Sequence, residues 1–207
     1  MRIFLFITII VLSFASVSAQ NKPSEIQTKS SLAIRYYNAQ DFEKAMPLLK
    51  EVYQLTRSGT YFRYYLNCLV ELKRYDEAER EVENEIGKQK PPKADFYIHW
   101  GYVLKAQGKT EEAEQKYKEA IEKIQNNRGQ YLVVASNFLT WGEYEYAKQT
   151  YLKGRENLDG ENFSYELARA YMYLRDYDNM MEEYLNLLQK DVKQIAQIQS
   201  SLSSAMR

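Results

Sequence analysis

The chain opens on an unbroken apolar run and then settles into spaced apolar positions on a charged background. Residues 1–19 read MRIFLFITIIVLSFASVSA. Arg2 precedes the run, Ile3 to Phe14 is apolar apart from Thr8 and Ser13, and Val17-Ser18-Ala19 places small residues at its end. That order is the pattern of a secretory leader cut after Ala19. The run is shorter than the ~20 residues a membrane span needs, so no stable membrane insertion is expected once it is removed. No Cys follows the expected cut, which argues against a lipid anchor. A leader is therefore expected at 1–19 and a short linker at 20–25.

Beyond the linker the pattern repeats. The strings DFEKAM, YDEAER, TEEAEQ, YEYAKQ and YDNMME place Ala45, Ala78, Ala113, Ala147 and Met180 alike, at spacings of 33, 35, 34 and 33. Each unit divides into two helices. In residues 94–124, Tyr97, Trp100, Gly101 and Leu104 share one helical face. Gly108-Lys109 is the expected turn, with Thr110 as the expected N-cap and Glu111 and Glu112 at the positive helix end. Ala113, Tyr117, Ala120, Ile121 and Ile124 form a second apolar stripe. Neither stripe can be buried by its own helix, so helices must pair and pairs must stack.

This pattern resembles the tetratricopeptide repeat, a 34-residue helical hairpin. Five copies can be laid over residues 26–191. The small position is Ala33, Gly101, Ala135 and Ala168, with Leu66 in the second copy; the large apolar position after it is Tyr36, Leu69, Leu104, Phe138 and Tyr171. The aromatic at the turn within each hairpin is Phe42, Tyr75, Tyr144 and Tyr177, with Thr110 departing, and the second-helix packing position is Leu49, Val82, Tyr117, Tyr151 and Tyr184. The family's closing Pro is missing from every copy, and Glu85 stands where a small apolar residue is usual. The resemblance implies an all-α, right-handed superhelical solenoid of about five helix-turn-helix repeats. These fall at 26–59, 59–92, 94–127, 128–160 and 161–191, and 192–207 is a capping helix or the start of a sixth repeat. Much of the Tyr content, Tyr117, Tyr131, Tyr151, Tyr177 and Tyr184 among it, falls on packing positions.

Composition narrows the chemistry. Lys plus Arg total 28 and Asp plus Glu 28, whereas a nucleic-acid binder normally carries a basic excess. One Cys excludes an internal disulfide, and one His excludes two-histidine metal motifs. Cys68 reads as a buried small hydrophobe and His99 as a structural or surface residue. Glu77, Glu79, Glu81, Glu83 and Glu85 alternate around a helix and read as a solvated face. Lys88 to Lys93, KQKPPK, is an exposed connection whose Pro pair stops the preceding helix. No phosphate-binding glycine motif is present. No catalytic residue, cofactor or metal is expected, and the protein reads as no enzyme.

In proteins of the resembled family a groove lined by first helices holds the partner. That pattern nominates Tyr37, Asn38, Arg63, Asn67, Tyr102, Lys105, Tyr165, Arg169 and Tyr173, with Ile34 and Leu132 beside them. Arg63 and Asn67, four apart, look like one pair of a carboxylate-binding clamp, but Tyr102, Leu132 and Ser136 do not complete it. The expectation is a non-enzymatic scaffold or adaptor of the bacterial envelope that binds a protein or peptide, and no nucleic acid. Its place is the periplasm or outer membrane, or outside the cell. Alternatives are a glycan- or peptidoglycan-binding envelope protein and the repeat domain of a longer secretion component or enzyme. Homo-oligomers are compatible with the sequence but not indicated by it.

Overall fold

The computed structural model describes residues 25–205 except 89 and 92. The expected leader lies outside the described residues, as does the expected linker apart from Glu25. Eleven α-helices and one 3-10 turn make up the described residues, with no strand among them. They are α1 (25–38), α2 (Phe42–Thr56), α3 (Gly59–Glu71), α4 (Tyr75–Gly87), α5 (Ala94–Ala106), α6 (Thr110–Glu122), α7 (Arg128–Thr140), α8 (Tyr144–Asn157), α9 (Ser164–Leu174), α10 (Tyr177–Lys190) and α11 (Ile195–Ala205). The 3-10 turn, Val192–Gln194, leads into α11.

The same cap ends each of the five odd-numbered helices from α1 to α9. Gln40, Lys73, Gly108, Gly142 and Arg175 take positive φ, between 57° and 81°. In each case that residue's N–H donates to the carbonyl three back, and the next N–H donates to the carbonyl five back, that of Tyr36, Leu69, Leu104, Phe138 or Tyr171. This is the Schellman arrangement, which satisfies two carbonyls the helix end leaves over. Its acceptors are the large apolar positions of the repeat, so one residue supplies core contact and cap together. The following helix then begins two residues on. Asp41 and Asp176 cap α2 and α10 by accepting the N–H of Lys44 and Asn179. Thr110 is not an N-cap: Lys109 holds that position without a side-chain bond, and Thr110 is the first helical residue.

Contacts divide the chain into two compact units, up to Arg80 and from Glu81 onward, with the division inside α4. In the first unit Ala33, Ala45, Leu49, Phe62, Leu66 and Leu69 are fully buried. Tyr53 and Phe62 pack at 4.7 Å. In the second unit Tyr117, Tyr131, Phe138, Tyr151 and Phe163 form an aromatic core around Ala113, Ala135 and Ala147. At the C-terminal end Ile198 of α11 packs with Ala168, Met180 and Tyr184. Lys88, Pro91 and Lys93 of the connection before α5 are exposed.

Two packing expectations need correction. Tyr177, expected at a packing position, is 56% exposed, because no described side chain covers it as Tyr173 covers Tyr144. Glu85 is only 4% exposed rather than on a solvated face, and Lys88 Nζ donates to its Oε1 at 2.6 Å. One turn of helix separates the two, so the exposed lysine side chain folds back over the buried carboxylate.

Candidate functional site

The nominated residues divide between the two units. In the first, Tyr37 donates its hydroxyl to Asn67 Oδ1 at 2.7 Å and packs on Phe42 and Tyr64. Both partners are therefore engaged with each other rather than presented to a ligand. Burial pushes the Tyr37 phenol above its usual range. Arg63 lies over the Tyr64 ring at 4.9 Å. Asn38 is exposed and Ile34 half-buried. Ile34 shares a shallow cleft of about 620 Å³ with Ile26, Ser30 and Tyr61.

In the second unit the nominated residues lie on α5 and α9, with Leu132 half-buried on α7. Tyr102 stacks on Trp141 with ring centroids 3.6 Å apart. Lys105 Nζ sits 2.7 Å from Glu143 Oε1. Arg169 is exposed. Tyr173 stacks on Tyr144 at 4.8 Å and remains exposed. Tyr165 departs from expectation: its hydroxyl is 3.2 Å from Ser201 of α11, and that bond holds the phenol below its usual range. α11 thus takes up part of what the sequence assigned to a ligand. Tyr165, Arg169 and Tyr173 are four apart, so they rise along one face of α9.

Sequence reasoning missed a concavity in this unit. An open cleft of about 650 Å³ lies between the start of α5, the end of α6 and the start of α7. Lys93, Asp95, Lys123, Gln130, Val133 and Pro91 are among its lining residues. Val133 is 52% exposed, and Lys123 Nζ lies over the Tyr97 ring at 5.0 Å. Burial raises the Asp95 carboxyl above its ordinary value, partly offset by a hydrogen bond with Asn137. Asp95 and Tyr102 are seven apart on α5, two turns along one face, so cleft and stacked pair adjoin one helix surface. Pro91 and Lys93 belong to the connection already read from the sequence, but Asp95, Lys123 and Val133 carried no signal that would join them to it.

Beside the cleft is a buried polar centre. His99 is 3% exposed, and its Nδ1 accepts the Trp141 indole N–H at 3.2 Å. Its ring also packs edge-on to Phe96 and Trp141. The bond holds Trp141, and so the platform under Tyr102, in a set orientation. His99 is thus a structural residue of the site. Cys68 of α3 is fully buried, and burial pushes its thiol up to about 12. A thiol held protonated is a poor nucleophile, in keeping with a packing role. Among the described residues no group of three or more His, Cys, Asp or Glu is placed to hold a metal ion.

A period of 33 to 35 residues, with an identical cap at each repeat, characterises the architecture. The fold is a tetratricopeptide-type helical repeat. No family model and no curated protein matches the chain. Among solved structures, a C-terminal part of a TPR repeat-containing protein from Cytophaga hutchinsonii aligns at 20% identity and TM-score 0.37. That alignment covers 78% of this chain and 64% of the other, so the chain spans less than two thirds of that relative. A thermophilic TPR protein of Thermus thermophilus aligns at 16% identity over 87% of this chain and 98% of its own, with TM-score 0.42. The TPR2AB domain of yeast Sti1, in a complex with pHSP90, aligns at 14% over 88% and 87%, with TM-score 0.40. The tetratricopeptide-type assignment rests on the period and the caps; these alignments assign this chain neither partner nor activity.

Proposed function

We propose that this protein is an exported, non-enzymatic scaffold of the bacterial envelope that holds an extended segment of a partner protein on the first-helix side of its second unit. One observation carries the reading. A cleft of about 650 Å³ opens beside a helix face that continues to the Tyr102–Trp141 stack. Such a surface offers an apolar seat at Val133, a carboxylate at Asp95 and flat aromatic area, a combination suited to side chains of a peptide. On α9 the exposed Arg169 is free to take a carboxylate bidentately. Export is part of the proposal and is supported by the leader-like pattern of residues 1–19. The glycan-binding alternative draws less support, because Tyr37 and Tyr165 hydrogen-bond within the chain.

Capture of partners from envelope extracts tests the surface. The variant Val133→Asp/Arg169→Glu is expected to lose the partner that the parent chain retains while keeping its helical circular dichroism, since both residues are exposed. Equal recovery by parent and variant contradicts the assignment. Export has its own test in the intact mass of the native protein, expected to correspond to a chain beginning at Gln20.

A further inference from the structure

α11 is lightly held. From Ile195 to Ser203 only Ile198 is buried, Ser201 and Leu202 are half-buried, and the other side chains are exposed. The helix carries no charged residue, so no ion pair fastens it and no side-chain charge favours its dipole. Ser200, Ser201, Ser203 and Ser204 crowd its second half, and serine is a modest helix former. A helix this short and this polar owes its form to the seat it packs on. Its link to α10 is the extended Asp191 and the 3-10 turn, where Val192 and Lys193 are exposed.

The seat is built from the α9–α10 hairpin. Ile198 packs with Ala168, Met180 and Tyr184, and Leu202 lies against the same cluster. Ile198 and Leu202 are four apart, so the seat takes a helix by one apolar pair on one face. α11 does not satisfy that seat completely. Tyr184 is 1% exposed, and its hydroxyl has no hydrogen-bond partner among the described residues. Burial pushes its phenol above the usual range, and Ser201, 3.2 Å from the Tyr165 hydroxyl, offsets only part of that. A buried hydroxyl without a partner costs free energy that water restores once the covering helix leaves. The same helix holds Tyr165, which shares a face of α9 with Arg169 and Tyr173. We infer that α11 is a built-in competitor for the partner surface: it closes the α9–α10 end, and an amphipathic helix of the partner, flanking its extended segment, displaces α11 through an apolar pair at i and i+4. The inference rests on the proposed function, since the site that α11 obstructs is the first-helix side of the second unit.

Two measurements on the chain from Gln20 test this. Amides of α11 are expected to exchange with deuterium at least about tenfold faster than those of α9 and α10, as a helix that opens by itself must. Equal protection of the three helices overturns the inference. The second probe is a fluorescent peptide of residues 191–205, followed by anisotropy. Closure of the chain's own α11 reduces the apparent affinity for a competitor by the fraction open. The Ile198→Asp chain, its own helix released, is therefore expected to bind the peptide at least about tenfold more tightly than the parent, and a peptide carrying Leu202→Asp is expected not to bind. Leu202→Ser, at a half-buried site, is the milder release should Ile198→Asp lower the helicity of α9 and α10. Equal peptide affinity for parent and released chains, or no binding to either, overturns the inference. Neither measurement uses the envelope partner, so these results and the partner-capture result can fail separately.

Discussion

At Gly101 the space for a β-carbon is already filled. A Cβ there would lie 2.2 Å from Tyr117 Cε1 and 2.5 Å from its Cδ1. The Tyr117 ring cannot retreat, because Phe138 and Tyr146 pack on it at 5.5 and 5.0 Å. Gly101→Ala is therefore expected to cost about 1–3 kcal/mol by overpacking, read as a lower melting temperature. Gly154 meets Phe163 and Tyr131 in the same way, at 2.9 and 3.0 Å. The first of these glycines was legible as a repeat position; the second was not, because its close approach comes from the next hairpin's Phe163, held at φ 49°.

Buried acids give a second prediction at this scale. Burial pushes Cys68 and Tyr151 up to about 12 from ordinary values of 9.0 and 10.0, and raises Tyr117 as well. These groups keep their protons in the folded chain after the unfolded chain has lost them. The folded state then binds more protons, so stability falls as pH rises. The loss should begin near pH 9 and steepen above 10, with each group contributing up to about 1.4 kcal/mol per pH unit. Thermal melts at pH 7 to 11 check this. A midpoint that does not fall above pH 9 contradicts the burial of these groups.

The element scale is governed by the five caps. Gly108 and Gly142 take positive φ without strain, whereas Gln40, Lys73 and Arg175 hold the same conformation with a β-carbon. Gly142→Ala is expected to cost roughly 1 kcal/mol, and Lys73→Gly or Arg175→Gly to be neutral or stabilising by up to about 1 kcal/mol. Denaturant unfolding measures both. The contrast shows what a sequence discloses. Period and hydrophobic spacing exposed the hairpins, since Ala45, Ala113 and Ala147 must be buried wherever two helices cross closely. Of the five caps only Gly108 was read as a turn, since Gln40, Lys73 and Arg175 carry no turn signal and Gly142 was passed over. The partner surface was less legible still. Tyr37 and Tyr165 read as free aromatics, and only three-dimensional contact shows that Asn67 and Ser201 occupy their hydroxyls. The cleft by Val133 is assembled from three helices, and no single stretch of sequence encodes it.

For the whole molecule, balanced charge and dense aromatic packing describe a chain that folds without covalent staples. Its one Cys is buried and free. Half-buried links such as Arg155 to Glu183, at 2.7 Å, join α8 to α10 within the second unit. Stacked repeats of this kind depend on neighbour contacts, so a rigid framework can carry surface residues that vary freely. The central claim is that the first-helix side of the second unit holds a partner protein. Site-specific photocrosslinking in the native envelope tests it most directly, with the crosslinker placed in turn at Tyr102 and Arg169 and at Glu114 on the outer face of α6. The account predicts that the two first-helix positions capture the same protein and that Glu114 does not. Capture from Glu114 alone, or equally from all three positions, would contradict it.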